Sequence, residues 1–321
     1  MNVTGKNGFV LLGLANHPEL QLPLFFVFLI IYMVIMTGNV LIFMLIMADP
    51  SLQAPMYFFL QVLSFMDICY SSVTLPRMLV DFLSKDKRIT YVGCATQLFF
   101  LLFGGASECF LLAVMAYDRY VAICKPLRYV TIMNKTVCLS LTVLSCFAGS
   151  VDSLLQTVWI FTLPFCGTHH INYFFCDIPP LIRLSCGDIS IYQIQLFTFT
   201  ILVVVTPLIF ILVPLIFILV SYFLIISSIL KMTSAEGRQK AFSTCSSHLM
   251  VVVLSYGSSS LNYLQPKSIN EEGSKKVLAL MYTTIMPMLN PLIYSLRNRE
   301  ISEAIKRMMN KTMNRIFFHR K

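Results

Sequence analysis

The sequence predicts an all-α membrane protein: a seven-transmembrane helix bundle followed by a short C-terminal amphipathic helix on the membrane surface. Three observations predict it. Of 321 residues, 57% are hydrophobic and only 12% are charged, whereas a soluble domain carries about 25% charged residues. Mean hydropathy is +0.77, so most of the chain is built to face lipid or other apolar helices. Apolar stretches recur seven times at the length of about 20 residues that a span requires.

The spans fall at roughly 24–47, 57–82, 95–124, 138–163, 196–230, 241–264 and 274–296. They divide the chain into an N-terminal segment (1–23), the bundle (24–297) and a tail (298–321). Pro207 and Pro214 in the fifth span, and Pro287 and Pro291 in the seventh, are expected to kink or locally unwind their helices. Helices packed among others in a membrane tolerate such breaks. The connection from Leu163 to Ile194 is too long for a turn and too polar to span, and loops of that size are usually functional or disordered.

Orientation follows from the basic residues. Of the 24 Lys and Arg, about 15 fall on the side of the C-terminus and about 9 on the other, which puts the tail in the cytosol and the N-terminus outside. The first inner loop, Ala48 to Pro55, has no Lys or Arg, so orientation rests on the later loops and the tail. No basic start followed by an apolar stretch marks a cleavable signal, and export falls to the first span as an uncleaved anchor. Asn2-Val3-Thr4 is then a usable glycosylation sequon, while those at Asn134 and Asn310 lie in the cytosol. The net charge of +9 does not imply nucleic acid, because the charges sit between apolar runs and form no contact stripe.

Beyond the seventh span, Ile301, Ala304, Ile305, Met308 and Met309 repeat at helical spacing, with Arg299, Glu300, Glu303, Lys306 and Arg307 on the other face. That pattern describes a helix lying on the inner membrane surface, in contact with its lipids. Of ten cysteines, six fall within or at the edge of spans. Cys94, Cys166, Cys176 and Cys186 face the oxidising exterior, and an even number fits two bridges, with three pairings open.

Two motifs stand at the inner ends of spans. The third closes on Met115-Ala116-Tyr117-Asp118-Arg119-Tyr120-Val121-Ala122-Ile123-Cys124. An Asp-Arg pair at a span's edge is costly unless paired, so Asp118 is expected to hold Arg119 as a latch over a cytosolic docking surface. The seventh closes on Pro287-Met288-Leu289-Asn290-Pro291-Leu292-Ile293-Tyr294. Pro291 frees a backbone carbonyl there, and Asn290 and Tyr294 can bridge to neighbouring helices, which makes a two-state hinge.

With these motifs the chain resembles the rhodopsin-like (class A) G protein-coupled receptors. Within them it resembles an odorant (olfactory) receptor over nearly its whole length. The marks are Pro55-Met56-Tyr57-Phe58-Phe59-Leu60, the run from Met115 to Cys124 followed by Lys125-Pro126-Leu127-Arg128-Tyr129, Ser221-Tyr222, and Lys240-Ala241-Phe242-Ser243-Thr244-Cys245-Ser246-Ser247-His248-Leu249. Gln53-Ala54 departs from the commoner pair before Pro55, and Pro207 is an extra proline on the ligand side of the fifth span.

The resemblance implies a multi-pass plasma-membrane receptor that binds an odorant in the outer half of the bundle. It implies a stimulatory olfactory-type G protein inside, which raises cyclic AMP. Arg119 would meet the G protein and Tyr222 and Tyr294 would swing toward it. Asp118, Tyr120, Lys240, His248, Asn290 and Pro291 complete that coupling set. Cys94 would bridge to Cys176 and leave Cys166 with Cys186, a Cys94–Cys186 bridge being the alternative.

The third span's pocket face is Leu101, Leu102, Gly105, Ala106 and Cys109, with a period near 3.6. An acid is lacking at Leu101, where amine receptors place one. Thr206, Phe210, Tyr256, Ser259, Ser260, Tyr263, Leu280 and Thr283 complete the pocket by analogy with the family. Such a lining suits small, mostly apolar, neutral odorants. Gly104 and Gly105 serve close helix packing in the other reading. Asp67 and Glu108 are acids inside spans and therefore functional candidates. With Asn39 and Asn290 they would line a polar site for Na⁺ or a shared proton, the alternative being a plain hydrogen-bond network between helices. No other cofactor is expected.

Three rivals fare worse. A transporter predicts related halves, and no internal repeat is visible. A retinal photoreceptor needs a mid-span Lys, and the seventh span offers only Lys275 and Lys276 at its outer end. An enzyme needs a convergent nucleophile, base and acid, or a metal motif, and none converges.

Overall fold

The computed structural model describes residues 8–13, 18–166, 169–185, 206–231, 234–264, 276–277 and 279–318. Seven helices form the bundle: α1 (Pro18–Ala48), α2 (Pro55–Leu83), α3 (Tyr91–Cys124), α4 (Lys135–Thr162), α5 (Thr206–Leu230), α6 (Ala235–Leu264) and α7 (Met286–Arg297). A π-helical turn (Met281–Ile285) leads into α7. The surface helix α8 (Arg299–Phe318) follows after Asn298. Residues 196–205 of the predicted fifth span lie outside the described residues.

Among the described residues, five helices are long and apolar enough to cross a membrane by themselves, and a shorter apolar segment (Cys245–Gly257) lies within α6. Their outer faces carry large apolar side chains in the open: Ile30 and Met44 on α1, Leu144 and Phe147 on α4, Val220 and Phe223 on α5. A soluble protein rarely exposes so continuous an apolar belt, whereas lipid solvates it at no cost.

Local sequence sets the helix ends. Pro55 opens α2 at a position whose N–H would be unpaired anyway. Thr90 and Asn134 cap α3 and α4 by accepting from the Gly93 and Val137 amides. α3 is the axis of the bundle and touches α2, α4, α5 and α6, while α1 packs on α2 and α7. At the α3–α4 seam a Cβ on Gly149 would lie 2.2 Å from the Ser107 hydroxyl, so only glycine admits that approach.

One end of the bundle is closed by a small sheet that the hydropathy pattern does not predict. Strand β1 (Gly8–Leu11) pairs antiparallel with β2 (Arg88–Thr90) and parallel with β3 (His170–Ile171). Phe9 on β1 is fully buried against Tyr91, Phe161, Phe165 and His169. Lys276 donates to the Gly13 carbonyl (2.7 Å) and to Asn172 Oδ1 (2.6 Å), tying the same segment to the start of the seventh span.

Candidate functional site

Three polar or open regions lie at successive depths along α3. Nearest the sheet end, the connection after α4 folds back over the bundle and is pinned there. Cys176 is disulfide-bonded to Cys94 near the start of α3, and its backbone N–H donates to Gln97 Oε1 (2.9 Å). Phe174, Phe175, Ile178 and Leu181 of that connection are buried with Leu98, Leu101 and Leu102 of α3. Cys166 is also disulfide-bonded, and its expected partner Cys186 lies outside the described residues, as does Asn2.

The two glycines of α3 do different things. Tyr70 packs so tightly on Gly104 that a Cβ would lie 2.4 Å from its ring, whereas a Cβ on Gly105 would meet nothing within 4 Å. Close packing belongs to Gly104, and open space to Gly105 on the predicted pocket face. Leu101 and Leu102 are buried, while Ala106 and Cys109 are half-buried. Two expected lining hydroxyls already have partners. Tyr256 donates to the Cys109 carbonyl (3.2 Å), and Thr283 donates to the Ala279 carbonyl (2.8 Å) within its own helix. Leu280 is half-buried. The side chains of Thr206, Phe210, Ser259, Ser260 and Tyr263 lie outside the described residues.

At mid-depth three of the four residues of the predicted polar set, Asp67, Glu108 and Asn290, interact, while Asn39 bonds backbone carbonyls. Asn290 Nδ2 on α7 donates to Asp67 Oδ2 on α2 (3.0 Å), and Ser255 on α6 donates to Glu108 Oε1 on α3 (3.3 Å). Asp67 and Glu108 interact electrostatically, and the Asn290 side chain engages both. Asn39 Nδ2 on α1 donates to the Ile35 and Pro287 carbonyls, at 3.0 Å each. The amide oxygens of Asn39 and Asn290 are each buried with no donor, and oxygens of that kind are what a hard cation takes as ligands. Among the described residues no cluster of three or more His, Cys, Asp or Glu side chains forms a metal site, so Na⁺ would rest on mixed carboxylate and amide oxygens.

At the far end of α3 the expected latch is not formed. Asp118 Oδ1 accepts from the Tyr129 hydroxyl (2.8 Å), and among the described residues no ion pair joins Asp118 to Arg119. The cause is the one-turn helix Tyr129–Ile132, which brings a phenol donor under α3. Arg119 Nη2 is left buried without a partner beside it. Tyr120 is half-buried at this end.

His248 of α6 bridges two helices. Its Nε2 lies 3.1 Å from the Leu112 carbonyl and its Nδ1 lies 2.7 Å from the Tyr222 hydroxyl. A carbonyl only accepts, so Nε2 carries the proton, and in the neutral ring Nδ1 is an acceptor that shares the single Tyr222 hydroxyl proton with the Cys245 carbonyl (3.2 Å). Tyr294 is buried with its hydroxyl unpartnered, and the side chain of Lys240 lies outside the described residues.

Three contacts at this end were not singled out by the sequence pattern. Tyr57 donates to Glu300 of α8 (2.6 Å). Arg307 of α8 pairs with Asp49 (2.9 Å), and Ser51 Oγ accepts from Arg307. All three dock α8 against α2 and the loop between α1 and α2. Asp152 on α4 carries the same signal as Asp67 and Glu108, an acid inside an apolar run, yet stands outside the predicted set.

This arrangement of seven helices is the fold of a rhodopsin-type receptor. The crystal structure of squid rhodopsin matches it with a TM-score of 0.62 at 16% identity, covering 92% of this chain and 87% of that one. The olfactory receptor family model matches residues 28–312. Human olfactory receptor 10A7 is 51% identical over 306 residues, 95% of each chain. Human olfactory receptor 10A5 is 50% identical over 313 residues, 97% of this chain and 96% of its own length. The chain therefore belongs to the olfactory receptor family of G protein-coupled receptors, a class of multi-pass membrane receptors and not of enzymes.

Proposed function

We propose that this chain is a plasma-membrane odorant receptor with its N-terminus outside and its tail in the cytosol. It binds small, mostly apolar, neutral odorants in the outer half of the bundle and activates a stimulatory olfactory-type G protein, which raises cyclic AMP. The family match across residues 28–312 carries this reading. In it the sheet end is extracellular, 24–297 is the receptor domain, and α8 lies on inner-leaflet lipid. Support for the pocket comes from the apolar face of α3 and the open space beside Gly105. Support for coupling comes from Arg119, Tyr222 and Tyr294, gathered at the opposite end.

Asp67, Glu108, Asn39 and Asn290 hold Na⁺ in this reading, and the two donorless amide oxygens support it. Bound there, the ion supplies the positive charge that two close carboxylates lack.

The test is a cyclic AMP response to a panel of volatiles in cells expressing the receptor, repeated with Arg119→Ala. The proposal expects at least one volatile to raise cyclic AMP in wild type and the response to be lost in the variant. A response unchanged in Arg119→Ala would overturn the coupling mechanism.

A further inference from the structure

Two segments close the sheet end, and they are held in different ways. The connection after α4 is fixed covalently by the Cys94–Cys176 disulfide and again by the Cys176 N–H on Gln97. The segment Gly8–Gly13 carries no cysteine and is held by its backbone and its packing. The Val10, Leu12 and Gly13 N–H groups donate to the His169, Ile171 and Tyr173 carbonyls at 2.8–3.1 Å, and the Leu11 N–H donates to the Lys87 carbonyl at 3.0 Å. Phe9 and Leu11 are buried in one apolar cluster with Leu98, Leu101 and Leu102 of α3. Phe9 lies against Tyr91, the first residue of α3, about 15 Å along that helix from Leu101 of the predicted pocket face.

The end of this segment is built as a hinge. Gly13 has a φ of +50°, the left-handed region that favours glycine, and a Cβ there would lie 3.2 Å from the Phe174 ring. The Lys276 ammonium fastens this residue. It donates to the Gly13 carbonyl (2.7 Å) and to Asn172 Oδ1 (2.6 Å), so the hinge is tied both to the start of the seventh span and to the fixed connection. Beside the hinge the packing is incomplete, and a narrow cleft separates Leu12 and Gly13 from Met78, Asp81 and Phe82 of α2.

We propose that Gly8–Leu12 is the lid of the odorant pocket, opening about Gly13 to let an odorant in and out, with Lys276 holding the hinge. This rests on the reading of the chain as an odorant receptor and adds the route by which the ligand reaches its site. The lid is this segment and not the connection after α4, because a short sheet held by backbone hydrogen bonds opens locally while a disulfide does not. A gate raises the same barrier from both sides. It therefore slows entry and exit by one factor and leaves the equilibrium affinity alone.

Val10 and Arg88 are partners across β1 and β2, next to the hydrogen bond between Leu11 and Lys87. Residues so placed form a non-hydrogen-bonded antiparallel pair with Cα atoms about 4.5 Å apart, close enough for a disulfide. Val10→Cys with Arg88→Cys should therefore bridge and lock the lid, and Val10→Ser with Arg88→Ser is the unlinked counterpart. The bridge is read by mass spectrometry of unreduced peptides, and surface amounts by biotinylation. Onset, washout and half-maximal concentration are read by a cyclic AMP sensor in cells given a volatile that activates wild type. Onset and washout should both be at least about tenfold slower in the bridged receptor than in the Ser pair, with the half-maximal concentration after long exposure unchanged. Lys276→Met needs no bridge and should speed both, and unchanged rates in it overturn the hinge. Equal rates in the bridged receptor and the Ser pair overturn the lid. A shifted half-maximal concentration at unchanged rates would assign the segment to the shape of the pocket and overturn it too. Failure of the bridge to form in a receptor at the cell surface would remove β1 from its place beside β2. Silence of wild type toward every volatile tested would instead fail the odorant-receptor reading beneath it.

Discussion

Asn39 on α1 donates its side-chain amide to the Pro287 carbonyl on the seventh span at 3.0 Å. That carbonyl is the one Pro291 orphans, because proline has no N–H to return to the residue four before it. Gly38 makes room for the contact, since a Cβ there would lie 3.1 Å from the Pro291 ring. The break in α7 is thus repaired from α1. Asn39→Ala is expected to lose about 1–3 kcal/mol, the usual cost of a buried acceptor left unpaired. In a Pro291→Ala background, where α7 regains its own bond, the same substitution should cost much less. Thermal unfolding of the four purified receptors in detergent measures both, and equal losses in the two backgrounds would refute the repair.

Sodium should stabilise the resting receptor through the mid-depth cluster. At about 100 times its dissociation constant, a ligand of the folded state adds about 2.7 kcal/mol. The melting midpoint of wild type is expected to rise when choline chloride is replaced by sodium chloride at equal ionic strength. Asp67→Asn should abolish that rise. A shift of the same size in the variant would leave only the hydrogen-bond network.

The docking of α8 has a defined pH range. The Ser51 backbone N–H, then Arg307, pull the Asp49 carboxyl from 3.8 to about 2. A folded-state value below the ordinary one means the contact is intact above 3.8 and is lost as pH falls through about 2. Hydrogen exchange of the α8 amides should show no added loosening of this contact between neutral pH and about pH 5. Asp49→Asn, which mimics the protonated side chain, should exchange faster at neutral pH. Equal exchange in variant and wild type would show that Tyr57 and the apolar face suffice.

Gly149→Ala forces α4 away from α3, because its new methyl would overlap Ser107 side chain and backbone. Overpacking of this kind typically costs about 1–3 kcal/mol. Ser107→Gly should recover part of the loss. Surface expression and thermal midpoint of the single and double variants check it, and no recovery would place the strain elsewhere.

What the sequence revealed and what it hid divide along physical lines. Helices in lipid announce themselves by length and hydropathy, so α1 to α5 were legible from apolar runs, and α8 from its period. The contacts of Asp67 and Glu108 with Asn290 were legible because a polar residue inside an apolar run needs partners of its own kind, whereas Asn39 turns to the Pro287 carbonyl. The sheet was not, because Gly8–Leu11 is four residues whose pairing depends on distant segments. The Asp118–Tyr129 bond was missed for a related reason. Adjacent residues on a helix point about 100° apart, so Arg119 is poorly placed to pair with Asp118, while Tyr129 returns from the next turn of chain. Asp152 shows the opposite failure: its signal, an acid inside an apolar run, was present and was passed over, and the structure leaves one of its oxygens buried without a partner.

The central claim is that an odorant bound in the outer half of the bundle changes what the opposite end does to a G protein. It is tested most directly with the purified receptor in nanodiscs and a purified stimulatory olfactory-type G protein, by following nucleotide exchange with and without an odorant that is active in cells. The account predicts faster exchange with the odorant, and none of that acceleration with Arg119→Ala. Exchange that is indifferent to the odorant in wild type would contradict it.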